Sequence, residues 1–261
     1  MPKIEVKNIN KLYTDSDGNE IHALQDINLT INDGEFVCIV GPSGCGKSTL
    51  LEIVAGLLDA TSGEILLDGD KGCGTSRDIG VVFQDASLFP WRIVQKNITF
   101  GMEIAKVPKE IQTKRLEKYI NLVNLHGFEH KYPSQLSGGM RQRVGIARAL
   151  AMEPKVILMD EPFSAVDHLT RCTLQEELIQ IWEREEKNIL FVTHDINEAV
   201  FLANRIILLS PRPGKIQRIY DIPYPHRRNR NSKELVEIAS QIMMDINNNG
   251  SQIPSNYYGN L

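Results

Sequence analysis

Gly41-Pro42-Ser43-Gly44-Cys45-Gly46-Lys47-Ser48, followed by Thr49, is the stretch on which the fold turns. It fits GxxxxGK[ST], a loop whose glycines let backbone amides converge on a polyanion. The apolar run Phe36–Val40 enters it and a helical pattern over Ser48–Leu58 leaves it. Strand, loop and helix therefore stand in the order a phosphate cradle needs. Lys47 offers a compact cation to the β- and γ-phosphates. The Ser48 hydroxyl can ligate Mg²⁺, and the helix beginning there points its dipole at the same charge. The pattern specifies a nucleoside triphosphate and is silent on what its hydrolysis drives.

Working outward, Ile4–Ile9 and Ile21–Ile31 alternate like strands on either side of the turn-rich Asp15-Ser16-Asp17-Gly18-Asn19. Short apolar runs recur at Ile65–Leu67, Ile79–Phe83, Val156–Met159, Ile189–Val192 and Ile206–Leu209. Most read as strands buried on both faces, which predicts a largely parallel sheet flanked by helices. Between Ser87 and Leu150 the texture turns helical. Ile111, Leu116, Tyr119, Ile120 and Val123 mark one amphipathic helix, and no strand is convincing. Helices are also expected at Leu169–Lys187 and Ile196–Ala203. The chain from Asn247 on is Asn/Ser-rich and expected to be poorly ordered.

Three further segments carry chemistry. Val156–Met159 runs into Asp160 and Glu161, so a buried strand would deliver Asp160 to Mg²⁺ and leave Glu161 to deprotonate the attacking water. Leu136–Arg143 reads LSGGMRQR, and behind it Val144, Ile146, Ala147, Leu150 and Ala151 recur at helical spacing. Ser137, Gly138 and Gly139 would thus open a helix whose bare amides suit a phosphate. Alone, those three residues equally describe a serine-capped surface helix. His194 follows a strand and precedes a helix, a place that suits a capping or core histidine. Gln84 ends the Ile79–Phe83 run. Tyr13 is placed either to stack on adenine or to pack into the core.

Together, the phosphate loop, Gln84, the LSGGMRQR octet, Asp160-Glu161, Ser164-Ala165-Val166-Asp167 and His194 resemble the ordered motifs of ATP-binding cassette (ABC) ATPases. The resemblance covers nearly all of residues 3–220; Val166 stands where the family more often has leucine. It implies a P-loop NTPase (RecA-like) α/β core, with an N-terminal antiparallel β subdomain and a helical subdomain inserted at about 87–150. Residues 1–220 would form the ATP-binding domain and 221–261 a partly disordered extension. It further implies a head-to-tail dimer that sandwiches two ATP molecules. Lys47, Ser48 and Asp160 of one copy would face Ser137 and Gly139 of the other, His194 the γ-phosphate, and Gln84 the Mg²⁺ and the attacking water. Asp85–Trp91, DASLFPW, and Ser210–Ile216, SPRPGKI, resemble importers of the nitrate, sulfonate and taurine group. That implies a separate transmembrane permease and, through it, an extracytoplasmic solute-binding protein. Phe89 and Trp91 would either receive a permease coupling helix or anchor the helical subdomain.

Composition narrows the rest. The chain has 261 residues, a formal charge of −4 and 24% charged residues, which does not point to nucleic acid. No stretch approaches the ~18 apolar residues of a spanning helix, and Met1–Glu5 has no apolar leader core. Cys38, Cys45, Cys73 and Cys172 form no CxxC pair. A cytoplasmic protein, peripheral on the membrane, is expected. His126 and His130 lack the further ligands a metal site requires. Cys45, inside the phosphate loop, is a candidate for oxidation or alkylation. Arg227, Arg228 and Arg230 read as a solvated basic tail that could supplement membrane contact.

Overall fold

The computed structural model describes residues 4–71, 76–185, 187–226 and 228–249. Cys73, Arg227 and the end of the chain beyond residue 249 lie outside them. In chain order the strands and helices are β1 Ile4–Thr14, β2 Glu20–Ile31, β3 Phe36–Val40, α1 Lys47–Val54, β4 Ser62–Leu67, β5 Asp70–Lys71 and β6 Ile79–Val82. There follow α2 Val94–Ile98, α3 Phe100–Ile104, α4 Lys109–Leu122, α5 Gly138–Leu150, β7 Val156–Asp160 and α6 His168–Glu185. The chain closes with β8 Asn188–Val192, α7 Ile196–Leu202, β9 Arg205–Leu209, β10 Ile216–Asp221 and α8 Lys233–Asn249. Two compact units form, one within Asn32–Glu35 and Cys73–Phe191, the other within Lys3–Ile31, Phe36–Gly72 and Val192–Leu261.

In the second of these units, an antiparallel sheet in the order β2-β1-β4-β5 carries the N-terminal region. Its first hairpin closes because Asp15 Oδ1 accepts from the Asp17 and Asn19 amides at 2.9 and 2.8 Å, an Asx-type turn that this polar stretch favours. Parallel to β3 runs β9, in the register Val37↔Arg205 to Val40↔Leu208, with β10 antiparallel on the outer side of β9. Every residue of β3 is buried, as is most of β9, which is why both read as unbroken apolar runs. Arg218 and the Tyr220 hydroxyl of β10 both bond to the Asp245 carboxylate of α8, and α8 packs on α7.

In the other unit, β6 and β7 are parallel in the register Ile79↔Val156 to Val82↔Met159. Only helices and turns occur between Ser87 and Leu150. Tyr119, Ile120 and Val123 are buried as the periodicity requires, whereas Ile111 is exposed.

Two expectations are corrected. α1 ends at Val54 instead of continuing to Leu58. Gly56 takes φ 68°, and its N–H and that of Leu57 bond back to Ile53 O and Glu52 O, the pair of bonds by which a glycine closes a helix. Residues 247–249, read as the start of a poorly ordered end, are the last turn of α8.

Candidate functional site

The phosphate loop is built within one unit. β3 delivers Gly41, and α1 starts at Lys47, capped by Gly46 at φ 98°, a backbone that L side chains rarely adopt. A Cβ at Gly46 would also lie 2.7 Å from Leu24 Cδ2, so a side chain is excluded twice over. The start of α1 has no side-chain cap and no acid in its first turn. A cation occupies it instead. Lys47 is buried, and its ammonium donates to Gly41 O at 2.9 Å and Pro42 O at 3.1 Å. A buried cation at the positive end of a helix dipole is unfavourable unless an anion is meant to join it. Ser48 is exposed and Thr49 half-buried on the same turn, with Ser43 and Gly44 open to solvent.

Residues 209–214 back this loop, and nothing in the sequence reading singled them out for it. Arg212 Nε donates to Gly44 O at 3.4 Å. The Gly214 N–H and C=O pair with Ala23 O and Gln25 N at 2.9 Å, and a methyl on Gly214 would overlap the Cys45 carbonyl. The signal was the glycine of Ser210–Ile216, which permits that approach. Cys45 is almost fully buried, and burial pushes its thiol up despite the opposing Lys47 charge. That overturns its reading as an oxidation or alkylation site, because the thiolate is the reactive form.

Tyr13 is 40% exposed on β1, with Lys11 Nζ 5.1 Å from its ring centroid. The core alternative is thereby excluded, and an open aromatic face remains. His194 is exposed between β8 and α7 and is not the cap of α7. Asp195 is that cap, accepting from the Asn197 and Glu198 amides at 2.9 and 3.2 Å. Neither the capping nor the core reading of His194 therefore applies.

The other unit holds Gln84, Ser137–Gly139, Asp160 and Glu161. β7 buries Val156–Met159 completely and brings Asp160 half-buried to its end. Glu161 follows at φ 42°, a strained backbone for a residue with a side chain, and such strain clusters at functional sites. Ser137 caps α5 by accepting from Met140 N at 3.2 Å. Gly138 lacks close neighbours beyond the far end of Arg141, whereas a Cβ on Gly139 would meet Ala165 O at 3.4 Å. The Ser164–Asp167 loop thus packs on the second glycine and leaves the first open.

Gln84 is exposed after β6. Two residues hold the segment around it, and sequence reasoning passed over both. Buried Gln142 donates to Phe83 O at 2.9 Å, and Arg148 donates to Ala86 O and Ser87 O at 2.8 and 2.9 Å. Burial holds the Arg148 guanidinium below its usual range. With Gly145, whose Cα side meets Ala86, they recur every third residue of α5. Two polar residues on the apolar face of a helix were the available signal.

Phe89 and Trp91 touch, their ring centroids 5.7 Å apart, but differ in exposure. Half-buried Phe89 lies tilted against Phe100, centroids 4.4 Å apart, and is tied by Asn97, which accepts from its N–H at 2.8 Å. Trp91 is 72% exposed and borders a cleft of about 630 Å³ with Arg92, Lys96, Gln112 and Tyr132. His126 lies 3.6 Å from Glu129, and no metal-holding cluster of His, Cys, Asp and Glu occurs among the described residues. Nor is any described helix long and apolar enough to cross a membrane. Arg228 and Arg230 are half-buried and not a freely solvated tail: the first bonds backbone carbonyls, and the second lies over the Phe201 ring.

A P-loop core, a buried lysine at an uncapped helix start and a strand ending in Asp-Glu define a nucleotide-hydrolysing cassette. The chain matches the ABC transporter family over residues 24–164. It is 48% identical over 241 residues to an uncharacterized ABC transporter ATP-binding protein of Methanocaldococcus jannaschii, covering 92% of this chain and 90% of that one. It is 41% identical over 247 residues to an aliphatic sulfonates import ATP-binding protein of Bacillus cereus, covering 95% and 97%. The structure superposes on the ATP-binding cassette MJ0796, solved as a dimer in a post-hydrolysis state with ADP and Pi. There the TM-score is 0.78 at 36% identity, over 85% of this chain and 100% of that one. The protein belongs to the ABC transporter family and is an ATP-binding P-loop ATPase.

Proposed function

We propose that the chain is the ATPase subunit of an importer that moves a small anionic solute through a separate permease at the cytoplasmic face of the membrane. The observation that carries this is the likeness, along nearly the whole length of both chains, to the aliphatic sulfonates import protein. Exposed Trp91 beside an open cleft supports it, as a surface for a permease helix. The nitrate, sulfonate and taurine group is the solute class we favour, from DASLFPW and SPRPGKI; bicarbonate or a vitamin precursor is the second reading.

In this account Lys47 and the amides at the start of α1 hold the β- and γ-phosphates, and Tyr13 stacks on adenine. Ser48, Gln84 and Asp160 fit Mg²⁺, because a hydroxyl, an amide oxygen and a carboxylate are the hard donors that ion takes. Held by these residues, Mg²⁺ would supply positive charge against that developing on the phosphates. Glu161 takes the proton of the attacking water, and His194 contacts the terminal phosphate. Ser137 and Gly139 of a second copy close the site, so ATP draws two copies together and hydrolysis parts them. The resemblance supplies these roles, and the local geometry of each residue is compatible with them.

The test is to purify the chain with its native permease and measure ATP hydrolysis while binding protein loaded with each candidate solute is added. Stimulation by a sulfonate or a related anion supports the reading. A complex that answers only to a cationic or neutral solute contradicts it, and co-purification with ribosomes instead of a membrane protein removes it.

A further inference from the structure

The chain beyond β10 grips the short helix that follows His194. A helix leaves its last four carbonyls without intrahelical partners, and α7 has only seven residues. The Val200, Phe201, Leu202 and Ala203 carbonyls are all met by two side chains from further along. Arg228 Nη1 donates to Val200 O at 2.8 Å, Phe201 O at 3.3 Å and Ala203 O at 2.7 Å. Its Nε and Nη2 donate to Tyr224 O at 3.1 and 2.7 Å. His226 Nε2 stands 3.1 Å from Leu202 O; a carbonyl only accepts, so Nε2 carries the proton. Arg230 lays its guanidinium over the Phe201 ring, 3.5 Å from the centroid. Desolvation, with the Arg228 charge adding to it, takes His226 down to about 4, so it stays neutral near pH 7.

The other end of α7 is tied to the residues around His194. Thr193 Oγ1 donates to the buried Glu198 carboxylate at 2.5 Å and accepts from Asp195 N at 3.0 Å. Asp195 in turn caps the helix. His194 thus sits between two residues fixed to the first turn. A two-turn helix has little stability of its own, so what holds its last turn also holds its first.

We propose that His226, Arg228 and Arg230 form a clasp that fixes α7, and through it His194, which makes Arg228 a positioning residue for ATP hydrolysis. The proposal rests on the reading of His194 as a contact to the terminal phosphate. It gives Arg228 and Arg230 a task inside the cassette, the first bonded to backbone carbonyls and the second laid over a ring.

Full-length Arg228→Gln, Arg228→Lys, Arg230→Gln and His194→Ala variants are compared by steady-state ATP hydrolysis and amide hydrogen exchange, at a temperature where each is folded. For Arg228→Gln we expect kcat to fall about tenfold, a partial displacement, since misplacement by a full ångström can cost about 10²-fold. KM for ATP should stay unchanged, exchange over Ile196–Leu202 should quicken, and Arg228→Lys should recover part of the loss. Combining Arg228→Gln with His194→Ala should cost no more than His194→Ala alone. A folded Arg228→Gln with wild-type kcat, or a double variant whose losses multiply, overturns the clasp. If His194→Ala itself keeps full kcat, the role of His194 falls first and the clasp loses its catalytic meaning with it. Should Arg228→Gln not fold, Arg230→Gln decides: a smaller kcat loss at unchanged KM supports the clasp, and unchanged kcat with faster α7 exchange refutes it.

Discussion

The starts of α1 and α7 lie in the same unit and solve the same problem in opposite ways. At α7 the chain fills its own positive helix end: Asp195 accepts from two amides, and Glu198 adds an acid in the first turn. At α1 no side chain caps, no acid is present, and a buried lysine adds a second positive charge. One end is complete without a ligand. The other is completed only by an anion, and Lys47 meanwhile rests on the Gly41 and Pro42 carbonyls. The contrast teaches that a missing cap can be a more telling mark of a phosphate site than any residue present.

The contrast can be broken from either side. The largest effect is expected from Lys47→Ala. Losing a charge-assisted contact worth roughly 1.5–3 kcal/mol should weaken ATP about 10- to 100-fold, as read by calorimetric titration. Unchanged affinity would mean that the buried cation serves the fold alone. Next comes Asp195→Ala at the self-sufficient end. It should cost about 1 kcal/mol of stability, a fall of about 2–4 °C in Tm for a chain of this size, and leave ATP affinity intact. A loss of affinity there would join two helix ends that we treat as independent.

The smallest effect on stability is the sharpest probe. Ser48→Asp gives α1 the anion it lacks and should raise stability by about 0.3–1 kcal/mol through the helix dipole. The same carboxylate should repel the triphosphate and weaken its binding, by less than the loss of Lys47 does. A variant that is more stable and still binds ATP normally would show that the positive end of α1 is not the phosphate seat.

How much of this was legible differs by segment. The phosphate loop, β3 and β7 could be read because their chemistry is local: glycines, a lysine and an unbroken apolar run lie next to each other in the chain. β10 was passed over because it is an edge strand with only half-buried and exposed positions, beside a proline-rich segment. α8 carried a readable signal. Leu235, Ala239 and Ile242 are buried at helical spacing, but the polar end that follows drew attention away from it. The Arg228 contacts to α7 have no local signature, since the Val200, Phe201 and Ala203 carbonyls lie 25 to 28 positions earlier. Gln142 and Arg148 stand between these cases, visible as polar residues on an apolar helix face but without a partner that sequence could name.

The most direct test of the central claim is a crystal structure of full-length Glu161→Gln with Mg²⁺ and ATP. The substitution should spare binding while slowing turnover by about 10²–10⁴, the usual worth of a general base. We predict that Lys47 Nζ leaves the loop carbonyls for the phosphates at the start of α1, with Ser137 of a second copy against the same triphosphate. ATP seated away from α1 while Lys47 still holds Gly41 and Pro42 would contradict the account.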